Sequence, residues 1–122
     1  MVKLFAVLKR KDGMTHEEFV DHWLNEHGPL IANTPSLARH IVRYEQHVRH
    51  RPDALSGDKR FDGVTVQWFE DMDGFVGFMS EPEYGDLIHP DEERFLDMDE
   101  LVFIVTEEPV VPIDGDIGGG HE

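Results

Sequence analysis

The chain has 122 residues, 39% apolar and 10% aromatic, which suits one two-layer domain and excludes global disorder. Lys plus Arg number 11 against 26 Asp plus Glu, a formal net charge of -15. Nucleic acid is therefore excluded as a partner and a neutral or weakly charged ligand is favoured, unless the acidity serves solubility alone. Cysteine is absent, which removes disulfides, thiol nucleophiles and thiolate metal sites. With no signal-peptide pattern and no apolar run near the roughly 18 residues that span a membrane, the expected compartment is cytoplasmic, with no membrane partner.

Residues 2–9 form an apolar run ending at the turn signal Lys11-Asp12-Gly13, which predicts a first strand. Thr15-His16-Glu17-Glu18 is a capping box, so a helix starts there, and Gly28-Pro29 is expected to end it. Residues 39–50 read as a second strand at a sheet edge, 51–62 as a loop, and 63–69 as a third strand with clear alternation. Asp71 and Asp73 cap a helix over 74–79. Ser80-Glu81-Pro82-Glu83 is a second capping box that starts a short helix to about Ile88. His89-Pro90 is expected to break that helix, leaving one further turn over 91–95 before a last strand over 100–106. The domain is thus placed at 1–110. Residues 111–122, acidic and Gly-rich, form a tail expected to be mobile unless it docks on a partner subunit.

Strand, helix, strand, strand, helix, strand is the split βαβ order, an α+β fold with a four-stranded antiparallel sheet and helices on one face. Strands 1, 3 and 4 are nearly all apolar, so both faces of the sheet are expected to be buried. The simplest cover for the second face is another copy of the sheet, in a homodimer. A cleft on each subunit is then the expected home of a small apolar ligand.

Eight His residues are candidates for chemistry near neutral pH. At 100° per residue, Phe19, Val20, Trp23 and Leu24 define an apolar arc with His27 in its middle and His22 outside it. His27 is either a buried, hydrogen-bonded residue finishing the helix or a proton-transfer group facing the cleft. His40 and Tyr44 share strand parity and either join His27 in a polar cluster or sit on an exposed edge. His16, His47 and His50 read as surface residues, and His89 is ambiguous. Phe5, Trp23, Trp68, Phe78, His89 and Phe95 are candidates for the walls of an apolar pocket, most of the aromatic residues being core. No His pair has the spacing that puts two imidazoles on one face, so no metal is expected. Phosphate-loop, nucleophile-elbow and dinucleotide patterns are also missing, and no cofactor is expected.

The run Lys3-Leu4-Phe5-Ala6-Val7-Leu8-Lys9, then Met14-Thr15-His16-Glu17-Glu18-Phe19, His22-Trp23 and Glu26-His27-Gly28-Pro29-Leu30, resembles the start of EthD-like proteins. Phe61-Asp62-Gly63, Trp68-Phe69, Ser80 to Tyr84, Asp91-Glu92-Glu93-Arg94-Phe95-Leu96-Asp97 and Thr106-Glu107-Glu108 are similar to later motifs of the same family. The resemblance implies a ferredoxin-like dimeric α+β barrel. It also implies that His27 stands at the position of an acid/base His in related methylmuconolactone isomerases, and that His40 stands where many relatives carry Tyr. The expected activity is cofactor-independent lyase, isomerase or cyclase chemistry on a small, largely apolar carbonyl or lactone compound. There His27 would move a proton and His40 or Tyr44 would steady the oxyanion. The alternatives are a cofactor-free monooxygenase or accessory protein of an oxygenase system, and a non-catalytic carrier of an apolar metabolite.

Overall fold

The computed structural model describes residues 1–117. Its four strands are β1 (Val2–Leu8), β2 (Arg43–Val48), β3 (Gly63–Phe69) and β4 (Val102–Thr106), in the order β2-β3-β1-β4 with every pair antiparallel. This is the ferredoxin-like arrangement expected from the order of elements, with β2 at an edge. Among the described residues regular structure ends at Thr106. The tail expectation falls partly on residues 118–122, outside the described residues. Among the described residues no helix is long and apolar enough to cross a membrane.

Helix α1, residues 16–32, starts on Thr15, whose hydroxyl accepts from the Glu18 amide while the Glu18 carboxylate accepts from the Thr15 amide. It does not stop at Gly28-Pro29. His16–His22 is α-helical, Trp23–His27 is one π-helical turn, and Gly28–Ala32 is α-helical again, with Gly28 at φ -58. The Gly28 amide closes the π turn on the Trp23 carbonyl. Pro29 follows at once. Proline lacks the amide and crowds the carbonyl four residues back, and a wider turn immediately before it relieves both problems. The same device recurs in α4, residues 82–95: Tyr84–Ile88 is π-helical, the His89 amide bonds the Tyr84 carbonyl, and Pro90 comes next. Neither proline ends its helix, which corrects the two stops expected from sequence.

Two shorter helices complete the layer, α2 (Pro35–Ala38) and α3 (Met72–Ser80), the latter capped by Asp71. Ser80 closes α3 and caps nothing after it. The second strand expected over 39–50 is shorter: residues 39–42 form the turn after α2, and β2 runs only from Arg43 to Val48.

Side chains alternate across the sheet. Leu4, Leu8, Thr65, Gln67 and Phe69 turn toward the helices, where Phe19, Trp23, Leu37, Phe78, Ile88 and Phe95 are almost wholly buried. Gly63 is required where α1 crosses β3, because a Cβ there would lie 2.6 Å from the Trp23 ring. Phe5, Val7, Val64, Val66, Trp68, Val102 and Ile104 occupy the other face. Val66 is buried, but Val102 and Ile104 are 53% and 62% exposed, so among the described residues nothing covers the β4 side of this face.

Candidate active site

A chamber of about 270 Å³ lies between the sheet and the helical layer. At roughly 30 Å³ per water it has room for one small organic molecule rather than a drug-sized one. Leu4, Ala6, Leu8, Tyr44, Thr65 and Gln67 form its floor, and α1, α3 and α4 supply Trp23, His27, Phe78, Tyr84, Glu92 and Phe95 above it.

His27 is 5% exposed, and its Nδ1 lies 2.7 Å from Asp91 Oδ2. The other carboxylate oxygen of Asp91 takes His22 Nε2 at 2.9 Å and Arg94 Nη1 at 3.3 Å. The π turn makes this grip possible. In an α-helix, residues five apart stand ~140° from each other around the axis. The extra residue in the turn Trp23–His27 brings His22 and His27 back to one side, where a single carboxylate reaches both. Phe95, one turn beyond Asp91 on the same face of α4, packs against both imidazoles at tilted angles, with ring centroids 4.8 Å apart.

Burial holds the His27 imidazole below its ordinary 6.5. The hydrogen bond and charge of Asp91 return only part of that, and His22 lowers it a little further. Burial also works to raise the Asp91 carboxyl, but the hydrogen bonds of His27 and His22, and their charges, hold it below 3.8. The two directions agree on a neutral imidazole against a carboxylate. Since a carboxylate only accepts, the proton of His27 sits on Nδ1 and Nε2 carries the free lone pair. Among the described residues Nε2 has no hydrogen-bond partner, and His27 lines the chamber.

Burial pushes the Tyr44 hydroxyl up to about 12, so it remains a hydrogen-bond donor at any physiological pH. Tyr84 donates to both oxygens of Glu92, at 3.1 and 3.0 Å. Burial raises the Glu92 carboxyl against the opposing effects of Tyr84 and His89, and raises Tyr84 as well. Two polar atoms of the wall, Trp23 Nε1 and Gln67 Oε1, are buried and make no hydrogen bond. The indole lies near enough to the Tyr44 oxygen to favour its ionised form without bonding it within 3.5 Å. Among the described residues no three of His, Cys, Asp or Glu are placed to hold a metal ion.

Of the residues singled out in the sequence, His27, Tyr44, Trp23, Phe78, His89 and Phe95 all border the chamber, His89 at its exposed rim. Three do not. His40 lies in the turn before β2, not on it. Its Nε2 meets Glu81 Oε2 at 2.6 Å and its ring packs over Gly77, so the phenol of Tyr44 alone serves the chamber from this segment. Phe5 and Trp68 point to the opposite face, where Lys3 and Arg43 lie over the Trp68 ring at 5.0 and 5.6 Å. His16 is also no plain surface residue, since its Nδ1 is 2.8 Å from the buried Asp62, which Arg10 also holds. Asp91, Tyr84, Glu92 and Gln67 were not identified as site residues from sequence.

A sequence model of the EthD domain matches residues 11–99, which take in α1, the histidine pair and Asp91. The chain belongs to the EthD family. An EthD family protein of Bacillus halodurans superposes with a TM-score of 0.66 at 21% identity, over 89% of this chain and 99% of that one. A protein of Bacteroides fragilis, described as dimeric with a ferredoxin-like fold, gives 0.65 at 17% identity over 88% and 95%. A structure described as antibiotic biosynthesis monooxygenase gives 0.58 at 14% identity over 90% and 100%. At these identities the likeness is one of fold. Among curated proteins none matches the sequence.

The geometry of this EthD domain separates two contacts of Asp91. Asp91→Ala leaves the His27 imidazole unpaired and His22 with only the Glu26 carboxylate at 3.2 Å, and should cost about 1–3 kcal/mol in urea unfolding. Arg94→Ala removes a guanidinium that is 65% exposed and should cost about 0–1 kcal/mol. Equal losses in the two variants would contradict the assignment of Asp91 to the histidines.

Proposed function

We propose that this EthD domain is a cofactor-independent acid–base catalyst, of the lyase, isomerase or cyclase kind, acting on a small, largely apolar carbonyl or lactone compound. The observation that carries the reading is the buried His27–Asp91 pair, with a lone pair left on Nε2 at the edge of an apolar chamber. His27 Nε2 removes a proton from the carbon next to the carbonyl. The electron pair moves onto the carbonyl oxygen, where the Tyr44 hydroxyl donates to the enolate. Asp91 fixes the tautomer and steadies the imidazolium, which then returns the proton to the same carbon, to another, or to a leaving group.

A second reading is oxidative: the chamber holds an electron-rich phenol or enol that reacts with oxygen without a cofactor. It is favoured by the apolar chamber and by the fold shared with the structure described as a monooxygenase. In that case His27 makes the same first proton transfer, and oxygen consumption by the bound substrate separates the two readings.

We also infer that the uncovered sheet face closes on a second copy. Support comes from the exposed Val102 and Ile104 and from a relative of the same fold described as dimeric. Light scattering should find a dimer that Ile104→Asp dissociates, and a monomeric, folded wild type would contradict this pairing.

Proton transfer is tested by exchange in heavy water, following by NMR the protons beside the carbonyl of β-tetralone and γ-butyrolactone. His27→Ala should slow exchange by about 10²–10⁴-fold. Tyr44→Phe should slow it by about 10²–10³-fold. Because His27 acts as a neutral base with a lowered pKa, the rate should rise with pH below 6.5 and be flat above it. Exchange in His27→Ala within a few-fold of wild type, or a rate falling above pH 6.5, would overturn the mechanism.

A further inference from the structure

The floor of the chamber is divided. On the inward side of β2 and β3 stand Tyr44, Thr65 and Gln67, with Tyr44 opposite Gln67; Gln46, opposite Thr65, lies outside the chamber and donates to the Trp23 carbonyl. The next strand, β1, sets Leu4 beside Gln67 and Ala6 beside Thr65, and β4 sets Phe103 beside Ala6. Crossing from β3 to β1, a step of roughly 4.8 Å, the wall changes from hydroxyl and amide to hydrocarbon. Above the polar half, the Glu92 carboxyl and the Tyr84 hydroxyl lie close enough to Tyr44 for their charges to act on it. The two unpartnered polar atoms, Trp23 Nε1 and Gln67 Oε1, are in the same half, one near the Tyr44 oxygen and the other on the residue paired with Tyr44 across the sheet. Buried polar groups are seldom left unpaired. A site meant for hydrocarbon alone would have no use for these six groups on one side.

We propose that the chamber takes an uncharged molecule with a ketone and a hydroxyl at one end and a hydrocarbon body at the other. The head lies between Tyr44 and Glu92, and the body lies against β1 and β4. Tyr44 donates to the ketone oxygen, while the unpartnered Gln67 carbonyl accepts the one proton of the ligand hydroxyl, next to the Glu92 carboxyl already held by Tyr84. A polar head drawing on Tyr44 is also the ligand feature that can bring Trp23 Nε1 and Gln67 Oε1 into bonding range. A carboxylate head is disfavoured, since it would face Glu92 and the field of a chain with net charge -15. This specificity rests on the chamber being the substrate site of the proton-transfer reading.

The test uses three probes sharing a phenyl body: α-hydroxyacetophenone with the proposed head, n-propylbenzene with none, and benzoylformate with an anionic one. Binding is read from the indole N–H signals of the two tryptophans, Trp68 on the opposite sheet face serving as the reference. The hydroxyketone should shift the Trp23 signal saturably and bind about tenfold or more tightly than either comparator. Tyr44→Phe should remove that preference while leaving propylbenzene affinity unchanged. Equal or tighter binding of propylbenzene or benzoylformate, or no saturable Trp23 shift with the hydroxyketone, overturns the proposal. Exchange lost with the preference intact would count against the proton-transfer reading alone. The reverse would count against this head-group assignment alone.

Discussion

The carboxylate of Asp91 holds the helical layer in the geometry that the chamber needs. It reaches from α4 to two imidazoles of α1 at 2.7 and 2.9 Å, in a place where an unpaired charge would be too costly to keep. Remove it, and His22 and His27 have no shared partner, Phe95 loses the surfaces it packs on, and the lone pair of His27 has no fixed direction. The grip depends on the backbone. Only because α1 opens into a π turn between these histidines do both face the same helix.

Consecutive residues of α4 then serve opposite ends of one task. Asp91 points into the seam with α1 and is held ionised by hydrogen bonds, while Glu92 points into the chamber, where burial raises its pKa. Neighbouring carboxyl groups are thus pushed in opposite directions by their surroundings. The sheet contributes the remaining contrast, with a polar floor from β2 and β3 and an apolar one from β1 and β4.

Much of this was legible in the sequence. The order of strands and helices, the edge position of β2, the caps at Thr15 and Asp71, and the inward face of His27 follow from period, turn chemistry and capping, all of which are local. The two misread helix ends have one common source. Gly28-Pro29 and His89-Pro90 carry the local signature of helix ends, and they are such ends in an α-helix; a π turn placed just before each proline cancels the steric conflict that the signature reports. That also hid the site. On a regular wheel His22 lies away from His27, and Asp91 is placed only within a further helical turn over 91–95. The spacing of Asp91 and Phe95, four apart and so on one face, was the available signal that this segment packs inward. His40 was misplaced because residues 39–42 turn after α2 instead of extending, so β2 starts at Arg43 and Tyr44 is left as the inward phenol.

The account stands on the protonation of one ring. Long-range proton–nitrogen correlation spectra of the histidine side chains at neutral pH report it directly. For His27 they should show a neutral imidazole protonated at Nδ1 and bare at Nε2, unchanged until the pH falls below 6.5. A proton found on Nε2, or an imidazolium at neutral pH, would contradict the account, because the chamber would then contain no base.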